Sequence, residues 1–368
     1  STGGNQLLLQ YIKQEYKIIS IVGMAKNSGK TVTLNQLIYE CIDANINLGL
    51  LSTGRDGECE DVATETEKPK IFAETGTYFV TTTELLSLSD ATVEIMDITD
   101  YRTPLGQILI GRVKDSGYIQ IAGPQTLTQI KELSEKILGL GADLVIIDGA
   151  IDRRTAAAPS IADATILATG ATLSRDINRV IEETLHVVNL FNLPAVEGEA
   201  KEIIRKYMEE EQIAIIDKDD NANIINIKTA LNCGNIIGNE IDENSRYLII
   251  PGSLVKGTVE DIISCTRKYK DIDIVVTDGT KIFIPPKDWL KFMRYGVNIK
   301  VLNPINLIAI TLNPYAPQGY YFEPDTLLEK ARYFIQDVPV VDVILGGDWY
   351  GIHRQIHRRI SRNTIYTK

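Results

Sequence analysis

The chain has 368 residues, of which 44% are hydrophobic and 24% charged. This composition is ordinary for a globular protein, and the length predicts two domains because a single core rarely grows past roughly 250 to 300 residues. The formal net charge is −11. Proteins that bind nucleic acid by general electrostatics usually have a basic surface, so we expect no nucleic-acid partner.

Targeting features and cysteine spacing indicate the compartment. No apolar run approaches the roughly 18 to 20 residues that span a bilayer, and no secretory leader pattern is visible, so we expect a cytoplasmic protein without a membrane segment. The four cysteines are scattered without a CxxC pair. They are therefore predicted to be reduced thiols rather than disulfide partners or zinc ligands.

Residues 18–34 read IISIVGMAKNSGKTVTL and predict a strand, a phosphate loop and a helix. Glycines let the backbone approach a phosphate, and the helix N-terminus behind them supplies N–H donors. Lys30 is placed to reach the β- and γ-phosphates, and the Thr31 hydroxyl to ligate the accompanying Mg²⁺. The predicted nucleotide-binding residues are Gly23, Lys26, Asn27, Ser28, Gly29, Lys30, Thr31 and Val32.

The spacing of this loop departs from the common pattern. Five residues separate Gly23 from Gly29, where the usual motif has four. The longer loop resembles those of the dethiobiotin synthetase and cobyrinic acid a,c-diamide synthase group of P-loop proteins. The alternative is a glycine-rich turn that binds nothing.

Two carboxylates are predicted to join the phosphate loop. Residues 144–148 read LVIID, the pattern of a buried central strand that delivers Asp148 to a metal ion. Asp56 follows a second buried strand near residues 48–53, although a solvated turn is the alternative there. We therefore predict Lys30, Asp56 and Asp148 as catalytic residues, and Thr31, Asp56 and Asp148 as ligands of Mg²⁺.

Residues 97–106 bring acidic side chains, Arg102, Thr103 and a proline together. This segment is predicted to start a helix that runs to Arg112, where Arg102 could hold an anionic group at the helix N-terminus. Such clusters also serve as caps and surface ion pairs.

Alternating strands and helices recur along the rest of the chain, which predicts an α/β fold with a mostly parallel sheet flanked by helices. Asn192 and Pro194 break a long predicted helix and mark a boundary. We predict a P-loop nucleotide-binding domain at 5–194, a second, smaller α/β domain at 195–345 and a basic C-terminal tail at 346–368.

Three further stretches, together with the P-loop, resemble one family. They are 102–107 (RTPLGQ), the run from Gly123 and Pro124 through 141–153 (GADLVIIDGAIDR), and 166–176 (ILATGATLSRD), and 311–317 (TLNPYAP) extends the match. The chain resembles the KamB subunit family of the lysine 5,6-aminomutase reactivase. The resemblance implies an accessory factor that helps a reactivase ATPase subunit exchange damaged cobalamin out of a B12-dependent aminomutase.

Three functions remain open on the sequence. The first is this accessory NTPase, acting on a protein partner or as a homodimer. The second is an ATP-dependent synthase of the dethiobiotin synthetase type, with a carboxylate pocket lined by Arg102, Thr103, Gln125 and Thr126. The third is a binding module with a vestigial P-loop.

The nucleotide and its turnover are also predicted from the sequence. The sequence contains no [NT]KxD segment, the motif that recognises guanine in many GTP-binding proteins. We therefore favour ATP as the nucleotide, with GTP as the alternative. We expect slow hydrolysis because no arginine finger can be placed, although Arg55, Arg153 and Arg175 are candidates.

Overall fold

The structure is a computed structural model that describes residues 6–53, 70–149, 158 and 160–344. The described chain forms two compact units. The first comprises the residues up to Ile181 and those from Leu307 onward, and the second is Glu182–Asn306. Within the described residues, no helix combines the length and apolar character needed to cross a membrane.

Strands and helices alternate along the described chain. The strands are β1 (Ile18–Gly23), β2 (Leu48–Ser52), β3 (Ile71–Ala73), β4 (Tyr78–Thr82), β5 (Thr92–Thr103), β6 (Gly106–Asp115), β7 (Gly117–Ile119), β8 (Leu144–Asp148), β9 (Ala164–Gly170), β10 (Ala214–Asp217), β11 (Ala222–Ile224), β12 (Ser245–Ile250), β13 (Leu254–Val255), β14 (Asp273–Val276), β15 (Ile282–Phe283), β16 (Asn298–Val301), β17 (Leu307–Asn313) and β18 (Val340–Asp342). The α-helices are α1 (Lys30–Asp43), α2 (Thr83–Leu86), α3 (Leu127–Leu140), α4 (Ile177–Phe191), α5 (Ala200–Glu209), α6 (Gly234–Glu240), α7 (Lys256–Cys265), α8 (Pro286–Arg294) and α9 (Pro324–Phe334).

The first unit is built on a nine-stranded sheet in the order β18-β17-β9-β1-β8-β2-β4-β6-β5. The strands from β18 to β4 pair in parallel, and β6 and β5 add an antiparallel edge. Every residue of β1 is buried, as expected for a central strand with both faces covered. The predicted fold class, an α/β protein with a mostly parallel sheet flanked by helices, is confirmed.

The core of the first unit lies on both faces of this sheet. Ile19 and Ile21 of β1 belong to a cluster with Leu37 of α1, whereas Val145 of β8 belongs to a cluster with Ile137 of α3. Successive side chains of a strand point to opposite faces, so burial on both faces favours strands that are mostly apolar. The sheet thereby holds the carboxyl ends of β1, β8 and β9 in fixed positions.

The second unit has its own five-stranded sheet, in the order β11-β10-β12-β14-β16. Strands β12, β14 and β16 pair in parallel, and β10 pairs antiparallel with both β11 and β12. Its core includes Trp289 and Phe292 of α8, packed with apolar residues of the sheet such as Leu248 and Ile274. The predicted second α/β domain therefore exists.

The predicted boundaries of the domains need correction. The division falls within α4, between Ile181 and Glu182, rather than after Pro194. Strands β17 and β18, placed by prediction in the second domain, pair in the sheet of the first unit, where β17 lies beside β9. A strand pattern does not state which sheet the strand joins, because that choice depends on long-range pairing. The predicted tail at 346–368 lies outside the described residues.

The predicted helix up to Arg112 is also wrong. Strands β5 and β6 form an antiparallel hairpin in which Thr103 pairs with Gly106. The Thr103 hydroxyl donates to the Gly106 carbonyl at 3.2 Å and accepts from the Leu105 N–H at 3.1 Å. Gly106 has φ of 98°, which glycine adopts at little cost. The turn and the β-branched residues that follow it thus favour a strand over a helix.

Candidate functional site

The loop of residues 24–29 connects β1 to α1 at the carboxyl edge of the first sheet. The Met24 N–H donates to the Ala168 carbonyl of β9 at 2.9 Å, which fixes the start of the loop. Asn27 and Gly29 have positive φ, of 63° and 98°, and α1 begins at the next residue, Lys30. The predicted order of strand, loop and helix is therefore present.

Both glycines of the motif stand where a side chain would collide. A Cβ on Gly29 would lie 2.8 Å from the Cβ of Asn313, and a Cβ on Gly23 would lie 2.6 Å from the Ser28 Oγ. Real Cβ atoms do not come this close to other heavy atoms. A side chain at Gly29 is excluded by its positive φ and by the Asn313 Cβ, whereas at Gly23 the Ser28 hydroxyl would have to turn away.

Lys30 and Asp148 meet beside the loop. The Lys30 Nζ lies 2.8 Å from the Asp148 Oδ1, and the two side chains are 16% and 24% exposed. The same ammonium donates to the Gly149 carbonyl. Parallel pairing of β1 with β8 produces this contact, because it aligns Ile21 with Asp148. A cation and a carboxylate are thus held together next to the N-terminus of a helix.

Thr31 and Val32 form the first turn of α1 and are half-buried. The first N–H groups of an α-helix have no partner within the helix, so this turn offers donors to an anion at the loop. Thr31 lies next to Lys30 on the same turn, as a metal-ligating hydroxyl in such a site requires.

Asn313, the last residue of β17, contacts the loop. The sequence did not predict this contact. The Asn313 Nδ2 donates to the Asn27 carbonyl at 3.2 Å, and its Oδ1 accepts from the Tyr315 N–H at 3.1 Å. The sequence does contain a signal here, a buried strand that ends in Asn-Pro. The contact could not be inferred because the position of β17 beside β9 was not predicted.

Two threonines also hold the loop and were not predicted to do so. The Thr172 hydroxyl donates to the Lys26 carbonyl at 3.0 Å. The Thr33 hydroxyl donates to the Gly29 carbonyl at 3.0 Å and lies 2.6 Å from the hydroxyl of Thr311 on β17. The carbonyls of Lys26, Asn27 and Gly29 thereby accept hydrogen bonds from protein side chains. The N–H groups of Met24 and Ser28 are bonded to the Ala168 and Ala25 carbonyls.

A phosphate group fits the residues present. Ser28 is 1% exposed, and its Oγ has no hydrogen-bond partner among the described residues. A buried hydroxyl without a partner costs free energy, about 1 to 3 kcal/mol. An anion in the loop could accept this hydrogen bond, so the orphaned hydroxyl is consistent with a phosphate site.

Of the remaining predicted site residues, some lie on the loop and others lie outside the described residues. Lys26 and Asn27 are exposed on the loop, whereas Asp56, Arg55 and Arg153 lie outside the described residues. Within the described part of the chain, no group of three or more His, Cys, Asp or Glu side chains is arranged to hold a metal ion. The Mg²⁺ site of Thr31, Asp56 and Asp148 therefore stays a prediction.

Two threonines of the pocket predicted for a synthase bond to their own backbone. Thr103 closes the hairpin turn described above, and the Thr126 hydroxyl accepts from the Gln129 N–H at 3.3 Å as the N-cap of α3. Arg102 lies in β5 beside that turn. Both hydroxyls thus have a structural role without a ligand.

Comparison with known proteins adds a distant likeness. No protein-family model and no curated protein sequence matches the chain. The kinase domain of Escherichia coli tyrosine kinase ETK is similar in structure, with 16% sequence identity and a TM-score of 0.26. The match covers 48% of this chain and 66% of that chain, just under two thirds of its length. At that score the likeness says nothing about what this chain binds.

Proposed function

We propose that this protein binds a nucleoside triphosphate with Mg²⁺ at the loop of residues 24–29 and hydrolyses it slowly. The observation that carries the proposal is the pair of Lys30 and Asp148, held 2.8 Å apart at the N-terminus of α1. Phosphate groups need N–H donors and a cation, and a metal ion needs a carboxylate nearby. This arrangement supplies all three.

Each residue has a defined role in this proposal. The loop N–H groups and the first turn of α1 would hold the β- and γ-phosphates, with the Lys30 ammonium reaching the same oxygens. Thr31 and Asp148 would hold the metal, together with Asp56. When bound, Mg²⁺ neutralises charge that develops on the transferred phosphoryl group.

The partner of this activity is proposed from the sequence resemblance. The stretches at 102–107, 141–153 and 166–176 support an accessory factor for the reactivation of a cobalamin-dependent aminomutase, acting with a reactivase ATPase subunit. The described hydroxyls of the synthase pocket are bonded to their own backbone, which favours the accessory role over the synthase.

Titration calorimetry with MgATP and MgGTP tests nucleotide binding. At a ligand concentration of about 100 times Kd, binding should stabilise the fold by about 2.7 kcal/mol. Lys30→Ala should abolish the stabilisation, while Lys17→Ala, which removes an exposed lysine just before β1, should keep it. Equal binding by the wild type and Lys30→Ala would overturn the proposal.

The reactivation role needs a separate measurement. An aminomutase carrying inactive cobalamin is mixed with this protein, its ATPase partner and MgATP, and the release of the cobalamin is followed by absorbance. We expect release to require this chain and its intact Lys30. Release at the same rate without the chain would exclude the accessory role and leave nucleotide binding untouched.

A further inference from the structure

An aromatic loop, defined here as residues 314–323, follows β17 at the same edge of the sheet as the phosphate loop. Its backbone is closed by hydrogen bonds from the Ala316 N–H to the Tyr320 carbonyl at 3.0 Å and from the Phe322 N–H to the Pro314 carbonyl at 2.9 Å. Gly319, with φ of 87°, turns the chain at its tip. The loop is therefore a defined hairpin.

Two tyrosines of the aromatic loop present their rings to solvent. Tyr315 and Tyr321 pair across the hairpin, with ring centroids 5.9 Å apart and planes tilted by 35°. They are 47% and 64% exposed. Large aromatic side chains bury 150 to 250 Å² when they are covered, so this ring pair offers a sizeable apolar surface to a planar ligand.

The aromatic loop is fastened to the phosphate loop and its neighbour. Asn313, directly before it, donates to the Asn27 carbonyl of the phosphate loop. The Tyr320 hydroxyl donates to the Ala171 carbonyl after β9 at 2.5 Å. The Arg175 guanidinium lies 4.8 Å from the centre of the Tyr320 ring. Three loops at the ends of β1, β9 and β17 thus form one connected surface that includes an exposed cation.

The order of the strands sets the direction in which a nucleotide would lie. Asp148 and Lys30 meet on the β8 side of β1, which assigns the metal and the terminal phosphate to that side. Strands β9 and β17 lie on the other side of β1. In a nucleotide bound this way, the nucleoside would extend from the loop of residues 24–29 along the carboxyl edge toward β9 and β17, where the aromatic loop lies.

We propose that the aromatic loop is the nucleobase-binding surface of this protein, with the rings of Tyr315 and Tyr321 as the stacking platform for the base. This inference rests on the proposed nucleotide binding. Stacking on aromatic side chains tolerates every base, because each base has a π face. The platform therefore takes adenine and guanine alike, and Arg175 adds positive charge beside it.

The test compares ligands with and without a base. MgATP, MgGTP and Mg²⁺ tripolyphosphate are titrated calorimetrically into the full chain and into Tyr315→Ala, Tyr321→Ala and Tyr321→Phe. The matched control is Tyr333→Ala, which removes a tyrosine that is 71% exposed at the end of α9. Base stacking on one ring contributes about 5-fold to 150-fold in Kd.

We expect a loss of affinity only for the ligands that carry a base. Tyr315→Ala and Tyr321→Ala weaken the binding of MgATP and MgGTP by that factor and leave the binding of tripolyphosphate unchanged. Tyr321→Phe and Tyr333→Ala bind all three ligands with the affinity of the wild type. Unchanged Kd values for MgATP in both alanine variants overturn the platform, and so does an equal loss for tripolyphosphate. If the wild type binds none of the three ligands, the proposed function fails as well, which distinguishes the two failures.

Discussion

At the scale of single residues, the effects of Lys30 and Asp148, which contact each other, on nucleotide binding and on hydrolysis can be measured separately. In the proposed function, Lys30 would act through its charge on phosphate oxygens, and Asp148 would act through the metal and the charge that develops in the transition state. Loss of the lysine should therefore remove binding, whereas loss of the carboxylate charge should spare binding and remove turnover.

We expect Asp148→Asn to lower the rate of ATP hydrolysis by about 100-fold or more while MgATP binding remains measurable. The amide keeps the shape of the carboxylate and loses its charge. Phosphate release is measured alongside calorimetry, with Asp143→Asn as the control, which changes a carboxylate just before β8. Wild-type turnover in Asp148→Asn would remove this residue from the site.

Cysteine chemistry provides a second prediction at this scale. Burial raises the pKa of the Cys41 thiol to about 12, with a smaller contribution from the nearby Glu40 carboxylate. Because the thiolate is the reactive form, Cys41 should resist iodoacetamide at pH 8 in the folded protein. Mass spectrometry of each cysteine checks this, with Cys265, which is partly exposed, as the reference. Labelling of both at equal rates in the folded state would contradict it.

At the scale of elements, the loop of residues 24–29 depends on one backbone conformation. Gly29 has φ of 98° and faces the Cβ of Asn313. Gly29→Ala should therefore destabilise the fold by more than about 1 kcal/mol and weaken MgATP binding.

The matched control for this substitution is Gly139→Ala on α3. Nothing lies within 4 Å of a Cβ at that position, and alanine favours a helix over glycine by up to about 1 kcal/mol. Urea denaturation should give opposite signs for the two variants. A loss of stability in Gly139→Ala as large as that in Gly29→Ala would show that φ and crowding are not the cause.

At the scale of the whole molecule, the first unit is completed by a segment from the end of the described chain. Strand β17 pairs with β9 along its length, and Ile310 and Ala309 are fully buried. Removing it would expose a central apolar strand edge and the core beneath it.

A chain that ends at Asn306 should therefore lose the cooperative unfolding of the first unit and aggregate, whereas a chain that ends at Ile344 keeps β17 and β18 and should unfold cooperatively. Calorimetry of both truncated chains checks this. Cooperative unfolding of the first unit in the shorter chain would show that its sheet is stable without β17 and β18.

The sequence by itself determined the local elements of the site. Glycine spacing, a β-branched strand and a helical pattern predict the loop from Gly23 to Lys30, and four apolar residues before Asp148 predict its strand. These signals are short-range, because they depend on backbone preferences and on burial of single strands. The metal ligand Asp56 and the nucleotide remain predictions.

Only the tertiary structure decided which strands share a sheet. Strand β17 has the same kind of pattern wherever it pairs, so its position beside β9, and with it the contact of Asn313 and the phosphate loop, could not be predicted. The hairpin at 92–115 shows the same limit. A helix was predicted over 97–112, but the turn contacts and the buried face of β6 stabilise two strands instead. Pairing between distant strands depends on the free energy of the assembled core, and no local pattern contains that information.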